Sequence, residues 1–231
     1  MVNPELVEVG MALQVCDDDS EGWLVSTACV VDKDGSTLWL DRPLVYDYHA
    51  HRGGRVSSGT SLIEIVGAED VHVAGLVLDG SGGHALLDGC RGGGLYIYNS
   101  QSIEIDSVVV HHFSGDGLSW QITQGVRVTH CDVHQCTHYG LHPGTGAWET
   151  VVQDCDVYAN GSDGLYLCWR VQGGHFVRNT FRENGGYGIS LGHKDTDNRF
   201  EDNGITKNAS GGGWVSSRAL AKRGTPKSFH G

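Results

Sequence analysis

Two pairs of aromatic and cationic residues stand 24 positions apart in the second half of the chain. Trp169 and Arg170 form the first pair, and His193 and Lys194 form the second. An indole can stack on a pyranose ring, and a guanidinium can bind a carboxylate through two parallel hydrogen bonds. If residues at this spacing are neighbours in space, these side chains share one surface. Such a surface suits a polysaccharide or oligosaccharide that carries carboxylates.

The residues around these pairs offer the groups needed for β-elimination or C5 epimerisation of a uronic acid. Both reactions require that the carboxylate be neutralised and that a base remove the C5 proton. We assign Arg170 to the carboxylate and either Lys194 or His142 to the base. Tyr166 or Tyr139 would be the acid. Further substrate contacts are assigned to Trp169, His193, Asp195, Tyr139 and Asp116.

A glycoside hydrolase would need two carboxyl groups instead. Asp116 and Asp163 both precede a glycine–leucine step, two repeats apart. Two strand spacings separate them by about 9.5 Å, near the upper limit for an inverting pair. An aspartate before a glycine is also ordinary turn chemistry, which is the interpretation we favour. Asp163 stays a candidate catalytic residue in this second hypothesis.

Metal sites are only weakly indicated by the sequence. The histidines crowd one region, at His111, His112, His130, His134 and His138, but without the ligand spacing of a transition-metal motif. Asp132 and Asp156 are one repeat apart and offer two carboxylates to calcium, although a solvated face is the simpler interpretation. The sequence therefore predicts no transition-metal site and leaves calcium open.

The same spacing belongs to the whole stretch from Ser102 to Asn208. A glycine–aliphatic step recurs at a nearly constant interval, at Gly117-Leu118, Gly140-Leu141, Gly164-Leu165 and Gly188-Ile189. Apolar residues keep the same register, giving three short strands per repeat and no helical spacing. This pattern is typical of a right-handed parallel β-helix, in which equivalent residues of successive coils stack about 4.8 Å apart. Strand parity then places Leu165 and Leu167 inside, and Tyr166 and His142 on the outer face.

Asparagines and cysteines also fall into columns. Asn160, Asn184 and Asn208 share one column and predict a ladder of amide hydrogen bonds. A second ladder is expected from Asn179 and Asn203. Cys131 and Cys155 are one repeat apart and are expected to point inward as small apolar fillers.

The N-terminal part of the chain lacks this repeat. Four apolar segments separated by aspartate- and glycine-rich turns read as strands: Leu6–Val9, Met11–Val15, Trp23–Val31 and Thr37–Leu40. We predict a small antiparallel β module over residues 1–60, a β-helix over residues 61–215, and a basic, polar terminal tail over residues 216–231.

Composition restricts the classes of function. The 231-residue chain has a net charge of −12, which argues against nucleic acid as a partner, because phosphates select a basic surface. Seven scattered cysteines favour reduced thiols over a disulfide framework. No apolar run reaches membrane-spanning length, and residues 1–10 contain no signal-peptide core. We expect a secreted or periplasmic location if an export signal precedes this sequence; the oligomeric state is not indicated.

The coil pattern between Ser61 and Gly212 resembles the pectate-lyase-like superfamily of right-handed parallel β-helix proteins. The segments beginning at Tyr139, Asp163 and Gly188 look like those of bacterial β-helix proteins. Most characterised relatives act on polysaccharides as lyases, epimerases or hydrolases, which is what the resemblance implies here. The run Tyr139-Gly-Leu-His-Pro is similar to the Tyr-Gly-Phe-Asp-Pro-His segment of alginate C5-epimerases, with His142 standing where their catalytic aspartate stands.

Three functions follow as hypotheses. The first is a polysaccharide lyase or C5-epimerase acting on a glycan that contains uronic acid. The second is a glycoside hydrolase that uses the paired aspartates. The third is a non-catalytic surface protein that binds glycan.

Overall fold

The computed structural model describes residues 6–20, 25–57, 61–81 and 92–215, and the predicted terminal tail lies outside them. The chain divides into two compact units. One comprises Met1–Ser61 and Gly82–Gly92, and the other comprises Leu62–Ser81 and Gly93–Gly231. Within the described residues, helices are limited to short 3-10 turns, and none has the length and apolar character to cross a membrane.

The first unit contains the antiparallel sheet that the sequence predicts. Its strands lie in the order Thr37–Leu40, Ser26–Asp34, Ala12–Cys16 and Arg55–Ser57, and the 3-10 helices of this unit are Asp18–Ser20 and Ala50–Arg52. The predicted strand at Leu6–Val9 is wrong, because this segment is not part of any strand. The segment is apolar because Val7 packs with Leu13 and Val30 in a small core.

The second unit is the predicted parallel β-helix, made of three parallel sheets that each coil visits in turn. The first sheet contains Ile63–Val66, Leu95–Tyr98, Leu118–Gln121, Leu141–Pro143, Leu165–Trp169, Tyr187–His193 and Gly211–Val215. The second sheet contains Glu69–Ala74, Gln101–Asp106, Arg127–Thr129, Val151–Gln153, His175–Val177 and Arg199–Glu201. The third sheet contains Val77–Asp79, Val109–His111, Asp132–His134, Asp156–Tyr158, Thr180–Arg182 and Gly204–Thr206.

The register between coils follows the sequence repeat. Leu141 pairs with Leu165, and Leu165 pairs with Ile189. Because side chains alternate across a strand, Leu165 and Leu167 both point into the core, where neither is exposed. The apolar columns of the three sheets thus fill the interior of the coil stack.

The recurring glycine before each first-sheet strand has a steric cause. A Cβ at Gly140 would collide with Cγ1 of Val157 and lie 2.8 Å from the carbonyl oxygen of Gly164 in the next coil. A Cβ at Gly164 would meet the carbonyl oxygen of Gly188 at the same 2.8 Å. The coils therefore approach too closely here for any side chain, and the Gly–aliphatic step marks that contact.

Both predicted asparagine ladders are present. The Nδ2 of Asn160 donates to Oδ1 of Asn184 at 3.0 Å, and Nδ2 of Asn184 donates to Oδ1 of Asn208 at 2.9 Å. Asn179 donates to Asn203 in the same way at 3.0 Å. Each Oδ1 also accepts the backbone N–H of the asparagine one coil earlier, so one side chain satisfies the turns of two coils.

The described cysteines are free thiols, as the sequence predicts. Cys131 and Cys155 lie in adjacent coils and are buried, with the backbone N–H of Cys131 directed at Sγ of Cys155 at 3.5 Å. They act as small apolar fillers of the interior.

Candidate functional site

The exposed candidates lie at the corner where the first sheet ends and the chain turns toward the second sheet. Successive coils make this corner with a residue in the left-handed conformation, and the equivalent residues are Gly67, Asn99, Ile122, Gly146, Arg170 and Lys194. Their φ angles lie between 47° and 68°. Arg170 and Lys194 thus occupy equivalent positions in successive coils, about 4.8 Å apart along the stack. We call this column the corner.

Trp169 and His193 directly precede the two corner cations. They are paired across the first sheet, with ring centroids 5.6 Å apart and the planes at 77°. Trp169 is 36% exposed, and Arg170 and Lys194 are exposed as well. Trp169, Arg170, His193 and Lys194 therefore stand at adjacent positions of two successive coils.

The corner cations differ from the other cations of the same coils. Arg178 and Lys207 are also in the left-handed conformation, but they pair with carboxylates, Arg178 with Asp154 at 2.8 Å and Lys207 with Glu183 at 3.6 Å. Among the described residues, no carboxylate lies within ion-pair distance of Arg170 or Lys194. Their charges are available to an anionic ligand.

A cleft of about 520 Å³ continues the corner toward the N-terminal coils. Ile122 and Gly146 line it at the corner itself. Trp148, which is 51% exposed, lines it from the second-sheet side. Thr123 also lines the cleft, and its buried Oγ1 has no hydrogen-bond partner in the described part of the chain. The cleft therefore combines a stacking surface with a polar atom that a sugar hydroxyl can satisfy.

This cleft was not predicted from the sequence, although the repeat places Trp148 in a defined column. Trp148 stands in a column with Gln124, Gln172 and Thr196, linked by parallel bridges one coil apart. The repeat spacing alone places it two residues past the corner. No sequence motif marks Trp148, and its exposure in the cleft is seen only in the structure.

His142 is not on the open surface that the sequence predicts. Its strand register is as expected, opposite Ser119, but its side chain is only 1% exposed. Its Nδ1 lies 2.6 Å from Oδ2 of Asp116, which is buried to the same degree. Strand parity predicts on which side of the sheet a side chain lies, but it does not predict whether other side chains cover it. The prediction that His142 is exposed was wrong for this reason.

Two tyrosines lie over this buried pair. The rings of Tyr139 and Tyr166 stack with centroids 4.6 Å apart, and each lies within 5.3 Å of the His142 ring. Both tyrosines are partly exposed. They separate His142 from the surface, so a substrate would meet the tyrosines first.

Asp116 is a hub of hydrogen bonds and not the open substrate contact that the sequence predicts. Its Oδ1 lies 2.7 Å from Nδ1 of His138 and accepts the backbone N–H of Tyr139 at 3.2 Å. Burial by itself would raise the pKa of this carboxyl, but the adjacent imidazoles of His142 and His138 outweigh it and hold the pKa below its usual value. His138, whose role the sequence did not indicate, thus completes the cluster from the half-exposed side.

Asp163 holds the equivalent position two coils later. Its Oδ1 accepts the backbone N–H of Tyr187 at 2.7 Å, and its Oδ2 accepts a hydrogen bond from Oγ of Ser190. The two aspartates that a hydrolase would use therefore both serve as acceptors for the backbone N–H of the next coil. This is the turn role that the sequence analysis favoured.

Asp195 is also buried, contrary to its predicted position beside the substrate. The residue is 1% exposed, and its Oδ1 accepts the backbone N–H of Val171 at 2.9 Å. This hydrogen bond fixes the turn after the corner. Asn198 makes the equivalent bond in another column, where its Oδ1 accepts the backbone N–H of Gly174.

The two stacked aspartates considered for calcium are paired in register on the third sheet. Asp156, however, is bound by Arg182 through two hydrogen bonds of 3.2 and 2.8 Å. That ion pair leaves Asp132 as the exposed carboxylate of the two. Among the described residues, the group of three metal-ligating side chains is a different one, Asp79, His111 and His112.

Residues 74–221 match the family described as right-handed β-helix region. The chain therefore belongs to the right-handed β-helix family. Among solved structures, the tailspike protein gp49 from Pseudomonas phage LKA1 is similar over 83% of this chain, at 12% identity and a TM-score of 0.29. This chain covers 42% of the length of that tailspike chain. No match was found among curated proteins.

Proposed function

We propose that this protein is a carbohydrate-active β-helix protein that binds a uronic-acid-containing polysaccharide at the corner, and that it acts there as a lyase or C5-epimerase. The observation that carries this proposal is the placement of Arg170 and Lys194 at equivalent, exposed positions of successive coils. Neither is engaged by a carboxylate within the described residues.

The ligand class follows from the side chains at the corner. Two cations one coil apart favour a chain of repeated carboxylates, and the guanidinium of Arg170 can bind one of them with two hydrogen bonds. Trp169 and Trp148 flank the corner on its two sides and offer ring faces to pyranoses. The chain as a whole has a net charge of −12, so a local pair of exposed cations contrasts with the rest of its charge.

The reaction would use Arg170 and Lys194 together with Tyr166, which lies on the strand Leu165–Trp169 that leads to the corner. With Arg170 neutralising the carboxylate, Lys194 would act as the base that takes the C5 proton. In elimination, the electron pair left at C5 forms a carbon–carbon double bond as the C4–oxygen bond breaks, and Tyr166 protonates the leaving oxygen. In epimerisation, Tyr166 would instead return a proton to C5 from the opposite face. His142, held by Asp116, would position the Tyr166 ring and not contact the sugar.

Glycan binding without catalysis is the second candidate. It is favoured by the burial of both His142 and Asp116, which removes the imidazole–carboxylate pair from the surface. A hydrolase is less well supported, since Asp116 and Asp163 both bind the backbone of the next coil.

The test is incubation of the protein with alginate, polygalacturonate and a glucuronic acid polymer, with a neutral glucan as the control. A lyase produces the ultraviolet absorbance of a conjugated double bond, and an epimerase changes the C5 configuration seen by NMR without shortening the chain. Retention of the acidic polymers with neither change indicates binding alone. If no acidic polymer is retained or altered, the proposed function is wrong.

A further inference from the structure

A second cluster of side chains lies on the third sheet, at the end of two neighbouring strands. Asp79 ends Val77–Asp79, His111 ends Val109–His111, and the two residues are paired in register. His112 follows at a left-handed bend with φ of 54°. One ligand atom from each of the three residues lies within 4.8 Å of the others.

The two imidazoles contact each other directly through their Nδ1 atoms. Their Nδ1 atoms are 2.8 Å apart, and the rings are nearly perpendicular, at 87°. The Nδ1 of His111 is also 3.4 Å from Oδ1 of Asp79. A tetrahedral metal with nitrogen ligands at about 2.0–2.1 Å keeps them somewhat further apart than this, so binding needs only a small opening of the cluster.

The surrounding structure holds His111 in place. Its ring stacks on His134 with centroids 5.2 Å apart, His134 stacks on Tyr158 at 4.7 Å, and the guanidinium of Arg182 lies 3.8 Å over the Tyr158 ring. This column fixes the orientation of the first imidazole. A preoriented ligand loses less entropy on binding a metal than a mobile one.

The carboxylate is fixed as well. Oδ1 of Asp79 accepts the backbone N–H of Ser81 at 2.9 Å. The Asp79 side chain is 52% exposed, while that of His111 is 20% exposed. The cluster is therefore open on one side, which leaves room for water or another ligand in a further coordination position.

We propose that Asp79, His111 and His112 form a binding site for a divalent transition metal, with Zn²⁺ as the reference ion. Two imidazoles and one carboxylate are the ligands that such ions prefer, whereas Ca²⁺ and Mg²⁺ select oxygen ligands throughout. The site lies on the third sheet and is independent of the proposed function at the corner between the first and second sheets.

The sequence did not reveal this site because the coil between Asp79 and His111 is longer than the coils that follow it. The carboxylate and the imidazole therefore do not fall into one column by counting. Only the observed strand pairing brings Asp79 beside His111.

The experiment measures Zn²⁺ binding to the full chain by isothermal titration and by metal analysis after dialysis, with Ca²⁺ in parallel. Co²⁺ absorption reports the coordination geometry. The variants are Asp79→Asn and His112→Asn, and the second suits the left-handed bend because asparagine tolerates it. His130→Asn is the matched control, since His130 is also an exposed imidazole in the left-handed conformation beside a carboxylate, Asp106 at 2.9 Å.

We expect one Zn²⁺ per wild-type chain and no comparable Ca²⁺ binding. Outer partners of metal ligands already contribute about 10–100-fold to affinity, so loss of a direct ligand should weaken binding by at least about 100-fold. His130→Asn should bind as the wild type does. Absence of stoichiometric Zn²⁺ binding, or wild-type affinity in both ligand variants, overturns the proposal.

Discussion

The imidazole of His142 and the carboxylate of Asp116 are joined by an Nδ1–Oδ2 contact of 2.6 Å inside the protein, each side chain 1% exposed. The two residues belong to successive coils, and the contact ties the turn before one first-sheet strand to the strand of the next coil. A carboxylate buried at this depth is stable only while the groups that hydrogen-bond to it remain. The pair is therefore first a structural element, with Tyr139 and Tyr166 resting on it.

Replacement of Asp116 should destabilise the fold in a pH-dependent way. The pKa of Asp116 is lowered in the folded protein, so its contribution is present above the ordinary carboxyl pKa of about 3.9 and is lost as the pH falls further. We expect Asp116→Asn to lower the free energy of unfolding by about 3 kcal/mol at neutral pH. Denaturant titrations from neutral pH to pH 3 should show the two proteins converging on acidification. The exposed control Asp197→Asn should follow the wild type throughout, and a constant difference at all pH values would contradict this account.

The middle of the first asparagine ladder should be sensitive to truncation. Asn184 is buried, donates to Asn208 and Val157, and accepts from the backbone and side chain of Asn160. Asn184→Ala leaves several buried groups unsatisfied, which should cost about 3 kcal/mol of unfolding free energy.

The control for that substitution is Gln172→Ala. Its Nε2 bond to Oγ1 of Thr196 is only partly buried, so water can replace it and the expected loss is below about 1 kcal/mol. Equal losses in the two variants, measured by chemical denaturation, would refute the ladder's special role.

The close approach of the coils at Gly140 should make this position intolerant of even one methyl group. Gly140→Ala forces a Cβ against Val157 and the Gly164 carbonyl, an overpacking that costs about 1–3 kcal/mol. Gly204→Ala is the matched control, because its Cβ would meet only Oγ1 of Thr180 at 3.9 Å. Thermal unfolding should show a lower Tm for Gly140→Ala alone; an unchanged Tm would mean that the coils are spaced more widely.

The Cys136 thiol should be inert in the native protein. Burial raises its pKa to about 12, so its reactive thiolate is scarce at neutral pH. Iodoacetamide labelling followed by mass spectrometry should modify Cys136 at least about 100-fold more slowly in native buffer than in denaturant. Comparable rates in the two conditions would show that the interior is open at this coil.

The repeat made most of the fold predictable, because one spacing determines which residues become neighbours. Leu141, Leu165 and Asn184 all take the places that counting along the repeat assigns. The same counting fails wherever a coil changes length, as between Asp79 and His111. It also does not show which side chains cover a strand, so His142 was expected on the surface although Tyr139 and Tyr166 lie over it.

The residues at the corner were also predictable only in part. The 24-residue spacing predicted that Arg170 and Lys194 would stack, and in the structure the residues that precede them, Trp169 and His193, are paired in register. It did not indicate that Asp195 would turn inward to accept the N–H of Val171. In the other columns asparagine takes this role, so an aspartate was not recognised as a turn residue. The cleft beside Trp148 arises from several coils together and has no local motif.

The most direct test of the proposed function compares affinities for whichever acidic polymer the wild-type protein retains. The test variant is Arg170→Asn with Lys194→Asn, and the control is Arg178→Asn with Lys207→Asn, which removes two cations from left-handed positions outside the corner. Since a charge-assisted hydrogen bond contributes about 1.5–3 kcal/mol, the corner variant should lose at least about tenfold in affinity while the control stays near wild type. Equal affinities of the two double variants would contradict binding at the corner.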